Sequence, residues 1–347
     1  MSHRPTGITA TASERLGRYP SSWDLLAETS RTFYLSIRKL PNNVGRVLCL
    51  AYLLLRVSDF FEDSAALRPQ AKLAWLRSWS AALGGAPLDS DWGNRVAEIG
   101  AQEVDAVAAE NAERILSEFE ALDPAIREPV RRHVRDSTEG MIRWIKRGPQ
   151  VETEADLDNY MHEVAGRVGY LSTEVFTWGS PAIARRKNDL MRLAREAGLA
   201  LQTVNVLRGI RKDYQRGWVY IPDEFLNDAG IRSEQLFDPA YHRQALQVVN
   251  RIANKAERHL QSAIAYAQTI PRSEHRIRRA CVWPFLFAAA TVGISRNNAE
   301  VLYSEAKITR RHIRRIVLVT STFGWSNRFL DWYFTRLVLY NQGGHAP

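Results

Sequence analysis

Apolar residues recur at three- and four-residue intervals along nearly the whole chain, and that period predicts helices. Ser21-Ser22-Trp23-Asp24 opens the first with a serine N-cap, and Leu40-Pro41 breaks the pattern. Periodicity resumes from Asn43 to Asp63, then over residues 68–83, and Gly84-Gly85-Ala86-Pro87 reads as a turn. Further helices are expected over 96–119, from Asp123-Pro124 to Arg147, and over 155–177 and 187–213. Residues 233–269, 273–295 and 309–341 complete the set, with Gly217–Pro222 as a short extended piece. No alternation of strands with helices and no hairpin turn pair is visible. The expected class is all-α: one domain over residues 21–341, preceded by a flexible arm over 1–20.

Two stretches depart from plain amphipathic helix. Ala51–Val57 is an apolar run broken by Arg56, and it leads into Ser58-Asp-Phe-Phe-Glu-Asp63. Asp59 and Asp63 are four apart, so a helix stacks them on one face. Such a pair is tolerated when solvated, or when it holds a hard cation such as Mg²⁺, which reaches phosphates through one or two carboxylates. In Ala200–Asp213, the residues Gln202, Asn205, Gly209 and Asp213 fall in a narrow arc. Polar groups on that arc imply an inward polar cavity, or else a solvated stripe.

The chain has 347 residues and a net charge of +9, which suits anionic partners. Nucleic acid is not expected among them, because no zinc-finger, RNP-like or basic-zipper pattern occurs and the basic residues are dispersed. Cys49 and Cys281 lie in apolar surroundings and read as buried thiols. No apolar run reaches the length expected of a membrane span, and Met1–Tyr19 lacks the apolar core of a secretory signal. A cytoplasmic protein is expected. Trp325–Tyr340 is aromatic-rich, so it either closes the helical bundle or makes a peripheral membrane contact.

Five motifs in order carry a family resemblance. Asp59-Phe-Phe-Glu-Asp63 resembles the first aspartate-rich motif of the squalene/phytoene synthases, the head-to-head prenyltransferases. Ser30-Arg31-Thr32-Phe33 resembles their N-terminal signature. Tyr160-Met-His-Glu-Val-Ala-Gly-Arg-Val-Gly169 is similar to their Tyr-Cys-x-Tyr-Val-Ala-Gly-x-Val-Gly segment. Leu201–Arg208 resembles the approach to the second aspartate-rich motif, and Arg216-Gly-Trp-Val-Tyr-Ile-Pro222 the segment after it.

The resemblance implies an isoprenoid-synthase-like helical bundle around a central cavity, with the two aspartate-rich helices facing across its mouth. It implies Mg²⁺ held by Asp59, Asp63, Asn205 and Asp213, and a prenyl diphosphate donor. Substrate contacts are expected from Ser30, Arg31, Phe33, Tyr34, Arg56, Gln202, Asn205, Arg208, Lys212, Arg216 and Tyr220. Diphosphate departure would leave an allylic cation in an apolar pocket. Phe33, Tyr34, Phe60, Tyr160 and Tyr170 are candidates to face it, with Tyr160 foremost.

Two departures bear on the reaction. The second motif reads Gly209-Ile-Arg-Lys-Asp213, so against Asp-x-x-Glu-Asp its charge moves from −3 to +1. An ammonium about 6 Å from a divalent cation costs roughly 5 kcal/mol at an effective dielectric near 20. Either Lys212 points away, or a metal site is lost and the amine holds diphosphate directly. Glu163 replaces the second tyrosine of the Tyr160 motif, as a base for an acceptor's proton or as the helix partner of Arg167. Three readings remain: prenyl transfer from one diphosphate to a different acceptor such as an aromatic small molecule of secondary metabolism, condensation of two prenyl diphosphates, and a non-catalytic isoprenoid binder. The first is favoured.

Overall fold

The computed structural model describes residues 19–100 and 106–340, the side chain of Arg31 excepted. The expected arm therefore lies outside the described residues, apart from Tyr19 and Pro20. The first helix opens as its sequence dictates: the Ser21 hydroxyl accepts from the Asp24 amide, and the Asp24 carboxylate accepts from the Ser21 amide at 3.0 Å.

In chain order the helices are α1 (Ser22–Thr29), α2 (Arg31–Ile37), α3 (Asn42–Asp63), α4 (Pro69–Leu83), α5 (Trp92–Ile99) and α6 (Ala106–Glu110). There follow α7 (Ala112–Glu120), α8 (Pro124–Arg147), α9 (Glu154–Met161), α10 (Arg167–Gly179), α11 (Pro181–Ala184) and α12 (Lys187–Gln215). The last five are α13 (Asp223–Asp228), α14 (His242–Thr269), α15 (His275–Ser295), α16 (Arg310–Phe323) and α17 (Asn327–Val338). No strand occurs among the described residues. One continuous apolar core runs from Leu25 to Val338, as an all-α single domain requires.

Several expected helices are divided. The 96–119 stretch falls into α5, α6 and α7, with residues 101–105 outside the described set. The 309–341 stretch breaks between α16 and α17, where Gly324 caps α16 by donating to Thr320 O at 2.9 Å. The 155–177 stretch contains a π-helical turn, His162–Gly166, between α9 and α10. One claim about apolar runs is corrected: α15 is 21 residues long and apolar enough to span a membrane, yet 89% of its apolar window is buried inside the protein. It is a core helix by placement.

α3 is the central strut. Ser58 bonds Thr138 on α8 at 2.7 Å and accepts from the Trp79 indole on α4 at 3.1 Å. Lys72 donates to the Glu62 carbonyl at 2.5 Å, satisfying one of the open carbonyls at the helix end. These bonds fix the acidic C-terminus of α3. On the opposite side α10 crosses α12 at glycine contacts. A Cβ on Gly169 would lie 1.9 Å from Ala194 O, and one on Gly198 2.2 Å from Ala165 O. Only glycine permits that approach, which brings the Tyr160 segment against the polar arc of α12.

Candidate active site

The two motif helices meet across one cavity of about 510 Å³. Arg56, Asp59, Glu62 and Asp63 reach it from α3, and Gln202, Asn205, Arg208, Gly209, Lys212 and Asp213 from α12. Arg216 is the C-cap of α12, and Gly217 follows with φ +80°, the left-handed turn that ends the helix and returns the chain as the cavity wall at Tyr220.

Arg216 joins the motifs. Its Nη1 lies 2.9 Å from Asp63 Oδ1, and its Nη2 bonds Asp213 Oδ1. Arg56 Nη1 bonds Asp59 Oδ2 at 2.8 Å. Burial pushes the Asp213 carboxyl above its ordinary range, with Asp63 adding to the push and Arg216 opposing it. A Cβ on Gly209 would stand 2.7 Å from Asp213 Oδ2, so the missing side chain is what lets this carboxylate fold back beside Arg216.

Glu62 is buried between the two aspartates. Burial first, then the charges of Asp63 and Asp59, push its carboxyl well up. Its Oε1 is buried without a hydrogen-bond partner. Beneath it the Tyr160 hydroxyl donates to the Tyr220 oxygen at 2.9 Å, and the rings stack at 4.6 Å. Trp144 meets Tyr160 edge-on at 5.5 Å and Trp218 stacks on Tyr220 at 5.6 Å. Burial, then Glu62, raises both phenols, so they stay neutral donors. Deeper in, the wall is apolar: Leu48, Leu55, Val168, Leu201, Phe176 and Phe285.

Most sequence-derived site residues line this cavity: Phe33, Arg56, Asp59, Asp63, Tyr160, Gln202, Asn205, Arg208, Lys212, Asp213, Arg216 and Tyr220. Others do not. Glu163 turns to α8, where it lies 3.1 Å from Arg143, and it accepts from Arg167 Nε, one turn on at the start of α10, at 2.6 Å. Burial pushes its carboxyl up, but the two arginines win and hold it below its ordinary range. The base role expected of Glu163 is therefore corrected to that of a helix-face partner. Ser30 caps α2, accepting from Phe33 N–H at 3.2 Å, and does not face the cavity. Tyr34 packs against the core. Phe60 is fully buried between α3 and Gly100, and Tyr170 stacks near His133. Neither faces the cavity. The Arg31 side chain lies outside the described residues. Sequence reasoning missed Tyr52, Tyr266, Cys281 and Phe285 as lining residues; they come from helices whose facing depends on long-range packing.

The donors fit a divalent cation unequally. Asp59 and Asp63 supply two hard oxygens at the cavity, enough for a Mg²⁺ that completes its shell with water and phosphate. The second helix does not fit one. Gly209 offers no donor and Lys212 puts an amine beside the single carboxylate of this stretch, Asp213; the arginine pairing does not separate the two sides, since Asp59 and Asp63 are paired as well. No cluster of three or more His, Cys, Asp or Glu suited to a metal occurs among the described residues.

The family profile for squalene/phytoene synthase matches residues 26–312. Squalene synthase of Saccharomyces cerevisiae is 27% identical over 323 residues, which is 90% of this chain and 69% of that protein. The Botryococcus braunii squalene synthase is 26% identical, covering 85% of this chain and 62% of its own length. The chain thus spans about two thirds of the length of these curated relatives. In fold it is similar to TcSQS in a ligand complex, with a TM-score of 0.79 at 23% identity over 94% of this chain and 92% of that one. A dehydrosqualene synthase with bound ligand gives 0.66 at 20% identity, covering 90% and 98%. The order of the motifs, the helical bundle around one cavity and the profile match agree: the chain belongs to the squalene/phytoene synthase family of prenyltransferases.

Proposed function

We propose that the protein ionises one allylic prenyl diphosphate and passes the prenyl group to a carbon nucleophile that carries no diphosphate, an aromatic small molecule being the favoured class. The observation that carries this reading is the asymmetry of the two motifs. The α3 side keeps both carboxylates, while the α12 side has Gly209, Lys212 and a single carboxylate, Asp213. Joining two prenyl diphosphates needs two ionisations, and one metal-competent pole supports one.

Asp59 and Asp63 would hold Mg²⁺, with the Asn205 amide nearby on the rim; the cation supplies Lewis-acid charge to the departing diphosphate. The chain's own residues do the rest. Arg56 and Arg216 orient the carboxylates. The apolar wall excludes water from the allylic cation, which hydrolysis would otherwise consume. The stacked faces of Tyr160 and Tyr220 present electron density to that cation. The C–O bond breaks with its electron pair leaving on diphosphate. A ring carbon of the acceptor forms the new C–C bond, and its proton passes to the released diphosphate, since Glu163 does not line the cavity and is held by Arg167 and Arg143. A peripheral membrane contact through α16 and α17 belongs to the same reading. Trp325, Trp332 and Leu318 are 56–70% exposed beside Arg314, Arg315 and Arg336, and a prenyl donor is itself amphiphilic.

The test supplies purified protein, Mg²⁺ and labelled prenyl diphosphates of several chain lengths, with and without aromatic acceptors. Diphosphate release that depends on the ring compound supports the reading. A C30 or C40 hydrocarbon, or a cyclopropyl diphosphate, formed without it establishes head-to-head condensation instead. Asp59→Asn and Asp63→Asn are each expected to lose at least ~100-fold in turnover, the scale of losing charge stabilisation at a departing oxyanion. Unchanged rates would overturn both enzymatic readings.

A further inference from the structure

Two of the cavity's four cationic side chains stand outside its ion pairs. Arg56 is committed to Asp59, and Arg216 to Asp63 and Asp213. Arg208 and Lys212 also line the cavity, and neither has a carboxylate within ion-pair distance among the described residues. Glu305, also on the cavity wall, pairs with Lys307 and feels the charges of Arg208 and Lys212 at longer range. Arg208 and Lys212 lie one helical turn apart on the same face of α12, a like-charge spacing that weakens a helix. The C-terminal dipole of α12 relieves part of that repulsion. It does not explain the Arg208 Nε, which is buried and has no hydrogen-bond partner; a buried donor left open costs stability unless something fills it. Gly209 lies between the two cations in sequence, and the space its side chain would fill is taken by the Asp213 carboxylate, itself paired with Arg216. A planar guanidinium and an ammonium on one helix face, both lining the cavity, make a seat for a polyanion of phosphate geometry.

We infer that Arg208 and Lys212, with Gly209 between them, form a diphosphate seat that works without a metal ion, in the position where the family places metal-binding carboxylates. The inference deepens the function proposed above and rests on it for the ligand's identity as a prenyl diphosphate. Charge neutralisation is divided. The α3 side calls for a divalent cation, and the α12 side supplies fixed cations of its own. The seat needs no rupture of the Arg216 pairs, because Arg208 and Lys212 are uncommitted.

Calorimetry of inorganic diphosphate binding to the full chain in excess EDTA tests this directly. Binding is expected to persist in EDTA. Lys212→Gln and Arg208→Gln are each expected to weaken it by about tenfold, the scale of one lost charge-assisted bond. Asp59→Asn should abolish the increment that Mg²⁺ adds, while binding in EDTA persists or tightens as Arg56 is released. The double variant Gly209→Asp/Lys212→Glu should make binding fully Mg²⁺-dependent. Far-UV circular dichroism and melting temperature check that each variant is folded. No binding in EDTA by the parent protein, or folded Lys212→Gln and Arg208→Gln variants with unaltered affinity, would overturn the inference. Head-to-head hydrocarbon products together with EDTA-resistant binding would sink the aromatic-acceptor reading alone and leave the seat standing.

Discussion

Replacing Arg216 by glutamine isolates the one side chain that ties the two motifs together. The Arg216 side chain is 21% exposed, Asp213 13% and Asp63 50%. The Asp63 pair is screened by solvent and adds less than about 1 kcal/mol. The Asp213 pair is different, because its loss strands a carboxylate in a poorly solvated site. A fully buried orphan costs about 3–5 kcal/mol. With the remaining exposure, roughly 2–3 kcal/mol is expected here at neutral pH. The cost must depend on pH in a set direction. Burial already holds the folded pKa of Asp213 above its unfolded value. The folded state therefore binds this proton more tightly, and stability falls as pH rises through the folded pKa. Removing Arg216 takes away the strongest opposing influence and raises that pKa further. The variant's deficit should shrink as pH falls into the carboxylate range, where protonation of Asp213 removes the stranded charge, and should grow to its full size toward pH 7. Urea denaturation across that range measures it. Adding Asp213→Asn to the variant should recover most of the loss. A deficit that does not vary with pH, or a double variant no more stable than the single one, would refute the reasoning.

Three further outcomes are expected. Glu163→Gln should keep turnover within about threefold of the parent while costing ~1 kcal/mol of stability through Arg167 and Arg143; a large fall in kcat with unchanged stability would return Glu163 to the chemistry. Gly169→Ala puts a methyl 1.9 Å from Ala194 O, so a loss of 3 kcal/mol or more is expected in thermal or chemical denaturation, at the upper end for overpacking. Trp325→Ala/Trp332→Ala should abolish co-sedimentation with vesicles containing anionic phosphatidylglycerol, and neutral phosphatidylcholine vesicles should bind neither form. Equal sedimentation of parent and variant on anionic vesicles would dismiss that surface.

The sequence was most legible where one helix carried the whole signal. Asp59 with Asp63, and Gln202, Asn205 and Asp213, share faces by the 3.6-residue period alone, and both faces do line the cavity. Legibility failed where the period changed. Glu163 follows Tyr160 by three residues, which in a regular helix places them together. The π turn at His162–Gly166 widens the helix there, so Tyr160, Val164 and Val168 stay on the cavity while Glu163 turns to Gly140 on α8. Local sequence carries no mark of that turn. Phe60 failed for another reason: on a helix buried all round, such as α3, an aromatic residue gives no sign of which neighbour it meets. Partner choice was equally hidden. The motif presents Arg216 as a substrate contact, and its bonds to Asp63 and Asp213 depend on α3 and the end of α12 converging across the fold.

That double commitment of Arg216 bears on how ligand binding and folding share the same charges. A diphosphate that recruited Arg216 would strip Asp213 of its counter-ion, and the cost worked out above would be subtracted from binding. Arg208 and Lys212 offer the same charge type with a smaller subtraction, because among the described residues they feel Glu305 and Asp213 only at longer range and are in no ion pair. The substitution pattern of the α12 motif is therefore internally consistent. Gly209 makes room for Asp213 to fold back onto Arg216, which keeps the two motif helices clamped. The charge this removes from the metal-binding role is replaced at Lys212 by a cation free to meet the ligand. Restoring aspartate at 209 alone would crowd Asp213 without removing the amine, so it should lower both stability and diphosphate affinity, whereas the paired change with Lys212→Glu should trade one mode of binding for the other.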